Sequence, residues 1–269
     1  MPEIDERERQ HQEDLERIKN FRLLDDDFMT KCFEDNVDGT KLMLDIILPV
    51  KLAVQRVTTQ ATIKNLQGRS VRLDILAVDE ESKHKVNVDI QRDSKGAKPK
   101  RARYYGSILD ANSVFAGEDF DDLPEIFVVL ITENDVLHEG QPIYPIERFY
   151  MGKNGPVKFD DKLHIIYVNS EIVDDTPLGR LMHDFRCTNP DDMHYKILAD
   201  RVRYFKQDEE GVKTMCKAME DMRNEAELKR AREVALRMLA DGELSHEKIA
   251  KYSGLTLEQV KELALEKSA

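Results

Sequence analysis

The chain has 269 residues, of which 41% are hydrophobic and 35% charged, a composition that argues against disorder and predicts one or two folded domains. Its formal charge of -12 argues against non-specific coating of nucleic acid, so any such contact must be local. The three cysteines are scattered and no apolar run is long enough for secretion or membrane spanning, so we expect a cytoplasmic protein with no membrane partner.

Charge dominates the start of the chain, and helical periodicity follows it. Residues 1–20 are rich in Glu, Asp, Arg, Lys and Gln and are expected to form a frayed helix or tail. Residues 21–48 repeat apolar side chains at helical spacings, with a break at residues 36–39. Within this segment, Asp27 has the residue type and place of an N-cap for a helix that begins at Phe28.

Alternating apolar and polar residues then predict a three-stranded meander over residues 54–64, 71–78 and 86–91. Polar turns at residues 65–68 and 79–83 are expected to connect these strands.

The second hairpin of this meander brings two acids together. If its turn centres on Glu81 and Ser82, antiparallel pairing puts Asp74 directly opposite Asp89, with β-carbons roughly 4.5 to 5.5 Å apart. Two carboxylates at that distance repel each other unless they share a divalent cation. The alternative is that the polar residues of the third strand form only its solvated face. These residues are Asn87, Asp89 and Gln91.

A basic run follows the third strand, against the acidic background of the chain. Between Gln91 and Tyr105 one acid, Asp93, stands among six basic residues, which are Arg92, Lys95, Lys98, Lys100, Arg101 and Arg103. Residues 98–116 are predicted to form a helix that Pro99 opens, and one helical face then presents Arg101 and Tyr105 back towards the carboxylates. A carboxylate pair that holds a cation beside such a helix suits phosphodiester cleavage.

The order of these residues resembles the PD-(D/E)XK nuclease superfamily, and specifically its branch of recombination-promoting nucleases and transposases, Rpn. The resemblance rests on Asp74, on Asp89-Ile90-Gln91 and on the stretch from Lys100 to Tyr105, and it covers about residues 21–205. It implies an α/β fold with a restriction-endonuclease-like mixed sheet flanked by helices.

The resemblance also implies roles for individual residues. Asp74 and Asp89 are expected to bind Mg²⁺ or Mn²⁺, Gln91 to orient the attacking water or a phosphate oxygen, and Asp27 to assist as an auxiliary acid. Residues of the basic run are expected to hold the DNA backbone. These expected DNA contacts are Arg92, Lys98, Lys100, Arg101 and Tyr105.

The motif departs from the superfamily pattern at three positions. Leu73 replaces the proline before the first acid, Asp89 is one methylene shorter than the Glu of its relatives, and Gln91 stands where the superfamily has Lys. Glutamine donates and accepts hydrogen bonds but supplies no positive charge. An alternative therefore stays open, in which the chain is a catalytically degenerate member that acts as a DNA- or protein-binding regulator.

The middle of the chain predicts further sheet and no second catalytic centre. Residues 125–132 form a continuous apolar run typical of a strand buried on both faces, residues 163–169 predict another strand, and residues 142–148 an edge or loop. The acidic loop at residues 118–122 does not match calcium-loop spacing, and the histidines form no zinc-hydrolase motif.

The C-terminal part of the chain predicts helices throughout. After a helix at residues 193–205 and a boundary at residues 207–211, a long helix over residues 212–239 carries a methionine stripe typical of a packing seam. Two short helices over residues 244–265 resemble a helix-turn-helix unit, with Thr256 and Gln259 at capping-box spacing. Acidic residues on the second helix favour protein packing over base recognition, which leaves a purely regulatory protein as a further alternative.

Taken together, the sequence predicts a charged tail at residues 1–20, a nuclease-like domain at residues 21–206 and a C-terminal helical extension at residues 207–269. The expected activity is that of a metal-dependent DNA endonuclease that promotes recombination or derives from a mobile element. A homodimer is favoured because cutting two strands usually requires two sites.

Overall fold

The computed structural model describes residues 6–65, 70–81, 83–92, 95–114 and 116–266, so most of the predicted turn at residues 65–68, and Ser82 in the next turn, lie outside the described residues. The chain forms two compact units. The larger is Glu16–Val212, and the smaller combines Met1–Leu15 with Lys213–Ala269.

The described residues of the larger unit contain a six-stranded mixed sheet, which confirms the predicted α/β fold. The strands are β1 Arg56–Ile63, β2 Val71–Asp79, β3 His84–Gln91, β4 Glu125–Thr132, β5 Ile143–Ile146 and β8 Leu163–Asn169, and a separate hairpin pairs β6 Phe149–Gly152 with β7 Gly155–Lys158. The helices are α1 Glu6–Asn20, α2 Asp26–Phe33, α3 Val37–Ile47, α4 Pro99–Ala111, α5 Pro177–Arg186, α6 Lys196–Gln207, α7 Glu209–Asp241, α8 His246–Ser253 and α9 Leu257–Glu266.

The order of the strands in the sheet is β1-β2-β3-β4-β8-β5. Strands β1 to β3 form the predicted antiparallel meander, β4 runs parallel to both of its neighbours, and β5 pairs antiparallel with β8 at the edge. Strand β4 is interior and its apolar run is buried on both faces, as predicted. Pro145 has no backbone N–H to donate to a neighbouring strand, and it is tolerated because β5 lies at the edge of the sheet.

The pairing of β2 with β3 has the predicted register. Ile75 lies opposite Val88 and Leu76 opposite Asn87, so continuing the same register brings Asp74 alongside Asp89. The alternative of a solvated face is wrong, because Asp89 and Asn87 are both 0% exposed. Helix α4 packs over this side of the sheet, where its apolar residues form one core cluster with residues of β2 and β4.

Helix α4 begins where predicted, with Pro99 in its first turn, but it ends at Ala111 rather than near residue 116. The side chains of Asn112 and Ser113 donate to the carbonyls of Ile108 and Leu109 at 2.7 and 2.5 Å, and these bonds satisfy carbonyls of the last turn.

Helix α5 and the β6–β7 hairpin of the larger unit were not predicted. Helix α5 begins after Thr176, whose hydroxyl accepts the N–H of Gly179 at 3.0 Å, with Pro177 in its first turn. At the turn of the β6–β7 hairpin, Gly155 has a φ of +119°, a conformation that glycine adopts readily because it has no Cβ atom.

The smaller unit contains the predicted helix-turn-helix. Gly254 ends α8 in the left-handed conformation, and Thr256 and Gln259 form a reciprocal capping box at the start of α9, with bonds of 2.9 and 3.2 Å. Apolar side chains of α7, α8 and α9 close a small core, which contains Ala235, Ile249, Leu255, Val260 and Leu263. Among the described residues, no helix combines the length and the apolar character needed to cross a membrane.

Candidate active site

Two acids from neighbouring strands form the centre of the candidate site. The backbone N–H of Ile90 in β3 donates to Oδ2 of Asp74 in β2 at 2.8 Å, which holds the Asp74 carboxyl group next to Asp89. Asp74 is 9% exposed and Asp89 is 0% exposed. The structure therefore brings together the two acids that the sequence pairs, in surroundings from which water is largely excluded.

Burial and mutual repulsion shift the acidity of this pair. Burial, followed by the charges of Asp89 and Asp26, raises the pKa of Asp74 to about 8. Burial also raises the pKa of Asp89, while the charge of Arg101 opposes that shift. At neutral pH the two carboxyl groups share a proton unless a cation takes its place. Carboxylate oxygens are the ligands that Mg²⁺ and Mn²⁺ prefer, so the pair fits such an ion.

Three further side chains connect Asp89 to helix α4. The amide of Gln91 donates to Asp89 Oδ2 at 2.5 Å, and the hydroxyl of Tyr105 donates to Asp89 Oδ1 at 3.3 Å. Arg101 donates from Nε to the Tyr105 hydroxyl at 2.6 Å and from one terminal nitrogen to Gln91 Oε1 at 3.3 Å. As predicted, Arg101 and Tyr105 face back towards the carboxylates, because they are one helical turn apart.

A groove of about 930 Å³ opens beside this cluster. Among the described residues, its lining contains five basic side chains and no acidic one. The basic residues are Arg72, Lys95, Lys98, Lys100 and Arg101, and Tyr104 and Tyr105 line the same groove. This local positive charge stands out in a chain of formal charge -12. Such a groove suits the backbone of a polyanion.

Arg92 lies in a different environment from the other predicted DNA contacts. Its guanidinium contacts the carboxylates of Asp25 at 2.9 Å and Glu133 at 3.2 Å. The same two acids also bind Arg22, so the four side chains form one ion-pair network. Arg92 does not line the groove, and its contact with DNA stays a prediction.

The start of helix α2 carries a second acid, Asp26, beside the Asp27 that the sequence suggested. Helix α2 begins at Asp26 with Asp25 at the N-cap, so the N-cap alternative for Asp27 is wrong. Asp27 is half-buried, and burial followed by the charge of Asp26 raises its pKa. The charge of Asp26 in this helix contributes to the high pKa of Asp74.

Gln60 fixes the position of Asp26. Its amide donates to Asp26 Oδ1 at 2.8 Å and to the Thr30 hydroxyl at 2.7 Å. Gln60 lies within β1 at a φ of +54°, a backbone conformation that costs free energy for a residue other than glycine. The sequence did not single out Asp26, because three consecutive aspartates can be ranked only when the first residue of the helix is known.

A second group, His183, Asp184 and His194, could also hold a metal ion, since its candidate ligand atoms all lie within 4.8 Å of one another. The Asp184 carboxylate already accepts the backbone N–H groups of His194 at 2.7 Å and Tyr195 at 2.8 Å, directly before α6. These bonds give Asp184 a structural role that requires no ion. The spacing in the sequence gave no signal for this group.

Comparison with known proteins identifies one match. The profile of the PD-(D/E)XK nuclease family transposases matches residues 44–248, which include the carboxylate pair, the groove and all of α4. No curated protein and no solved structure matches the chain significantly.

Proposed function

Because the chain belongs to the PD-(D/E)XK nuclease family transposases, the family that contains the Rpn proteins, we propose that it is a metal-dependent endonuclease that hydrolyses DNA. The observation that carries this proposal is the buried Asp74–Asp89 pair, which lies beside a groove whose charged lining residues, in the part of the chain that the structure describes, are all basic. The carboxylates suit a divalent cation and the groove suits the DNA backbone.

In this proposal Asp74 and Asp89 hold Mg²⁺ or Mn²⁺. When bound, the ion would lower the pKa of a water molecule and polarise the scissile phosphate. Asp26 would contribute a third negative charge near the ion, in the role that the family resemblance suggested for Asp27. Ile90 and Tyr105 keep the acids oriented through their N–H and O–H donors.

The remaining residues position the reactants. Hydrolysis forms a bond between phosphorus and the oxygen of water. It breaks one bond between phosphorus and a deoxyribose oxygen, and this oxygen gains a proton and leaves as a hydroxyl group. Gln91 is placed to orient the water or a phosphate oxygen, since it bonds Asp89 directly. Lys98 and Lys100, with Arg72 and Lys95, contact phosphates along the groove and so position DNA without reading its sequence.

One alternative has a specific observation in its favour. Gln91 replaces the lysine of the motif and bonds a carboxylate oxygen of Asp89, one of the two acids that would hold the cation, as expected of a family member that binds DNA without cutting it. Cleavage of supercoiled plasmid by the purified full chain, with Mg²⁺, Mn²⁺ or EDTA, separates the two proposals. Cutting that requires metal supports the nuclease, whereas binding without cutting under any metal supports the alternative.

If both strands are cut, two sites must act on one duplex. A homodimer would supply them, and sedimentation of the chain with and without a DNA duplex tests this part of the proposal.

A further inference from the structure

The motif of this chain lacks a basic residue at the position next to the acids, because Gln91 is neutral. Phosphodiester hydrolysis places additional negative charge on the phosphate oxygens, and a fixed positive group beside them lowers the barrier. A cationic side chain from another element can supply the charge that the motif lysine would otherwise add to that of the metal ion.

Arg101 of helix α4 meets the geometric requirement. Its guanidinium lies 3.6 Å from Asp89 Oδ2 and bonds both Gln91 and Tyr105, so it contacts the side chain that replaces the lysine. The Cζ atom of Arg101 also lies 5.2 Å from the centre of the Tyr105 ring. These contacts fix one side of the guanidinium against the site.

The other side of Arg101 faces the place where DNA would lie. The side chain is 40% exposed and lines the basic groove. A guanidinium has five N–H donors, and the bonds to Tyr105 and Gln91 engage two of them. The 3.6 Å separation from Asp89 is longer than a hydrogen bond, so Asp89 does not engage the N–H donors of that terminal nitrogen, which can donate to a phosphate oxygen.

We propose that Arg101 supplies the positive charge that Gln91 lacks, by donating to a non-bridging oxygen of the scissile phosphate as charge develops there. The inference rests on the proposed nuclease function and assigns Arg101 a catalytic role instead of general backbone binding. The burial of Ala102 and Tyr105 anchors this part of α4 on the sheet, so Arg101 is held in place before DNA binds.

Other cations near the site do not have these contacts. Lys98 and Lys100 are exposed at the start of α4, which suits phosphates further along the DNA. Arg92 is neutralised by Asp25 and Glu133. Arg103, two residues after Arg101, is exposed and does not line the groove, so it serves as a matched control for the loss of one positive charge from the same helix.

The test compares the full chain with Arg101→Gln, Arg101→Lys and Arg103→Gln. Three quantities are measured: the single-turnover rate of plasmid cleavage in Mg²⁺ at saturating protein, the affinity for a DNA duplex in Ca²⁺, and the affinity for Mn²⁺ by calorimetry. We expect Arg101→Gln to lose about 100-fold or more in cleavage rate, as loss of a transition-state donor does in other enzymes. Arg101→Lys should recover part of that rate, and Arg103→Gln should cut like the wild type.

Binding separates a catalytic role from a structural one. We expect Arg101→Gln to bind DNA within about threefold of Arg103→Gln. We also expect it to bind Mn²⁺ at least as well as the wild type, because the variant lacks a positive charge beside Asp89 that would repel the cation. Weaker Mn²⁺ binding, or a loss in DNA affinity as large as the loss in rate, would overturn the inference. If the wild type cleaves DNA and Arg101→Gln cleaves it at an equal rate, the role of Arg101 is overturned, but the proposed nuclease function is not. A wild-type chain that does not cut would overturn both.

Discussion

The backbone N–H of Ile90 donates to the carboxylate of Asp74 at 2.8 Å, and this bond connects strands β2 and β3 at the point where their two acids meet. It holds Asp74 beside Asp89 even though both acids are buried and repel each other when both are ionised. Without a cation, this arrangement costs folding free energy, which is typical of a site organised for a ligand.

Removing the charge of Asp74 should stabilise the metal-free protein. We expect Asp74→Asn to raise the free energy of unfolding at pH 8 by roughly 1–3 kcal/mol, because an amide avoids the desolvation and repulsion of a buried carboxylate. The new side chain still accepts the Ile90 N–H through its oxygen. Urea denaturation in EDTA measures the change, and a less stable variant at pH 8 would contradict the expectation.

The same variant should change the dependence of stability on pH. The pKa of Asp74 is about 8 in the folded protein and 3.8 for an unperturbed group, so the folded state binds this proton more tightly than the unfolded state does. The resulting stabilisation is fully present below about pH 4 and is lost as the pH rises through about 8. We expect the advantage of Asp74→Asn over the wild type to grow from pH 5 to pH 8. An advantage that stays constant over this range would show that Asp74 does not titrate there.

Metal binding should release a proton from the carboxylate pair. Because Asp74 is largely protonated at neutral pH, we expect the affinity for Mn²⁺ to rise up to about tenfold per pH unit until about pH 8. Calorimetry in buffers with different ionisation enthalpies counts the released protons. His183→Ala is the control for the second candidate group, and loss of Mn²⁺ binding in this variant would place the metal there instead.

The basic groove should determine how DNA affinity depends on salt. We expect the double variant Lys98→Gln with Lys100→Gln to lower the slope of log affinity against log salt by about 2, since each phosphate contact contributes about 1. Titrations of a duplex in Ca²⁺ over a range of NaCl concentrations provide the slope. Arg103→Gln is the control, and an equal change in its slope would mean that the effect is one of net charge alone.

The two acids at the start of α2 should differ in their effect on the site. We expect Asp26→Asn to weaken Mn²⁺ binding about 3- to 10-fold more than Asp27→Asn does, because the charge of Asp26 acts on Asp74. Calorimetry on the two variants under one set of conditions measures the difference. A larger loss in Asp27→Asn would instead support the auxiliary role that the sequence suggested for that residue.

Local pattern and register were predictable from the sequence. The equal distances along the chain from Asp74 and Asp89 to the turn are sufficient to predict that the two acids pair. The helical spacing of Arg101 and Tyr105 is sufficient to predict that both side chains face this pair. Both deductions use only the geometry of one hairpin and one helix. No contact between distant elements is needed for them.

Contacts between distant segments were not predictable in the same way. The ion pairs of Arg92 depend on Glu133 at the end of β4, and the position of Asp26 depends on Gln60 in β1. Arg72 lies in a strand and joins the groove because the sheet brings it near α4. In each case the role of a side chain follows from which element packs beside it, and the chain order does not specify that.

Cleavage of supercoiled plasmid in Mg²⁺ by the wild type, Asp74→Asn and Asp89→Asn tests the nuclease proposal most directly. The matched control is Asp110→Asn, a half-buried acid further along α4 that does not line the groove. We expect the wild type and the control to cut only when metal is present, and both site variants to lose all detectable cleavage while still binding DNA. Cleavage that persists in Asp74→Asn or Asp89→Asn, or that continues in EDTA, would contradict the assignment of this carboxylate pair as the metal site of a nuclease.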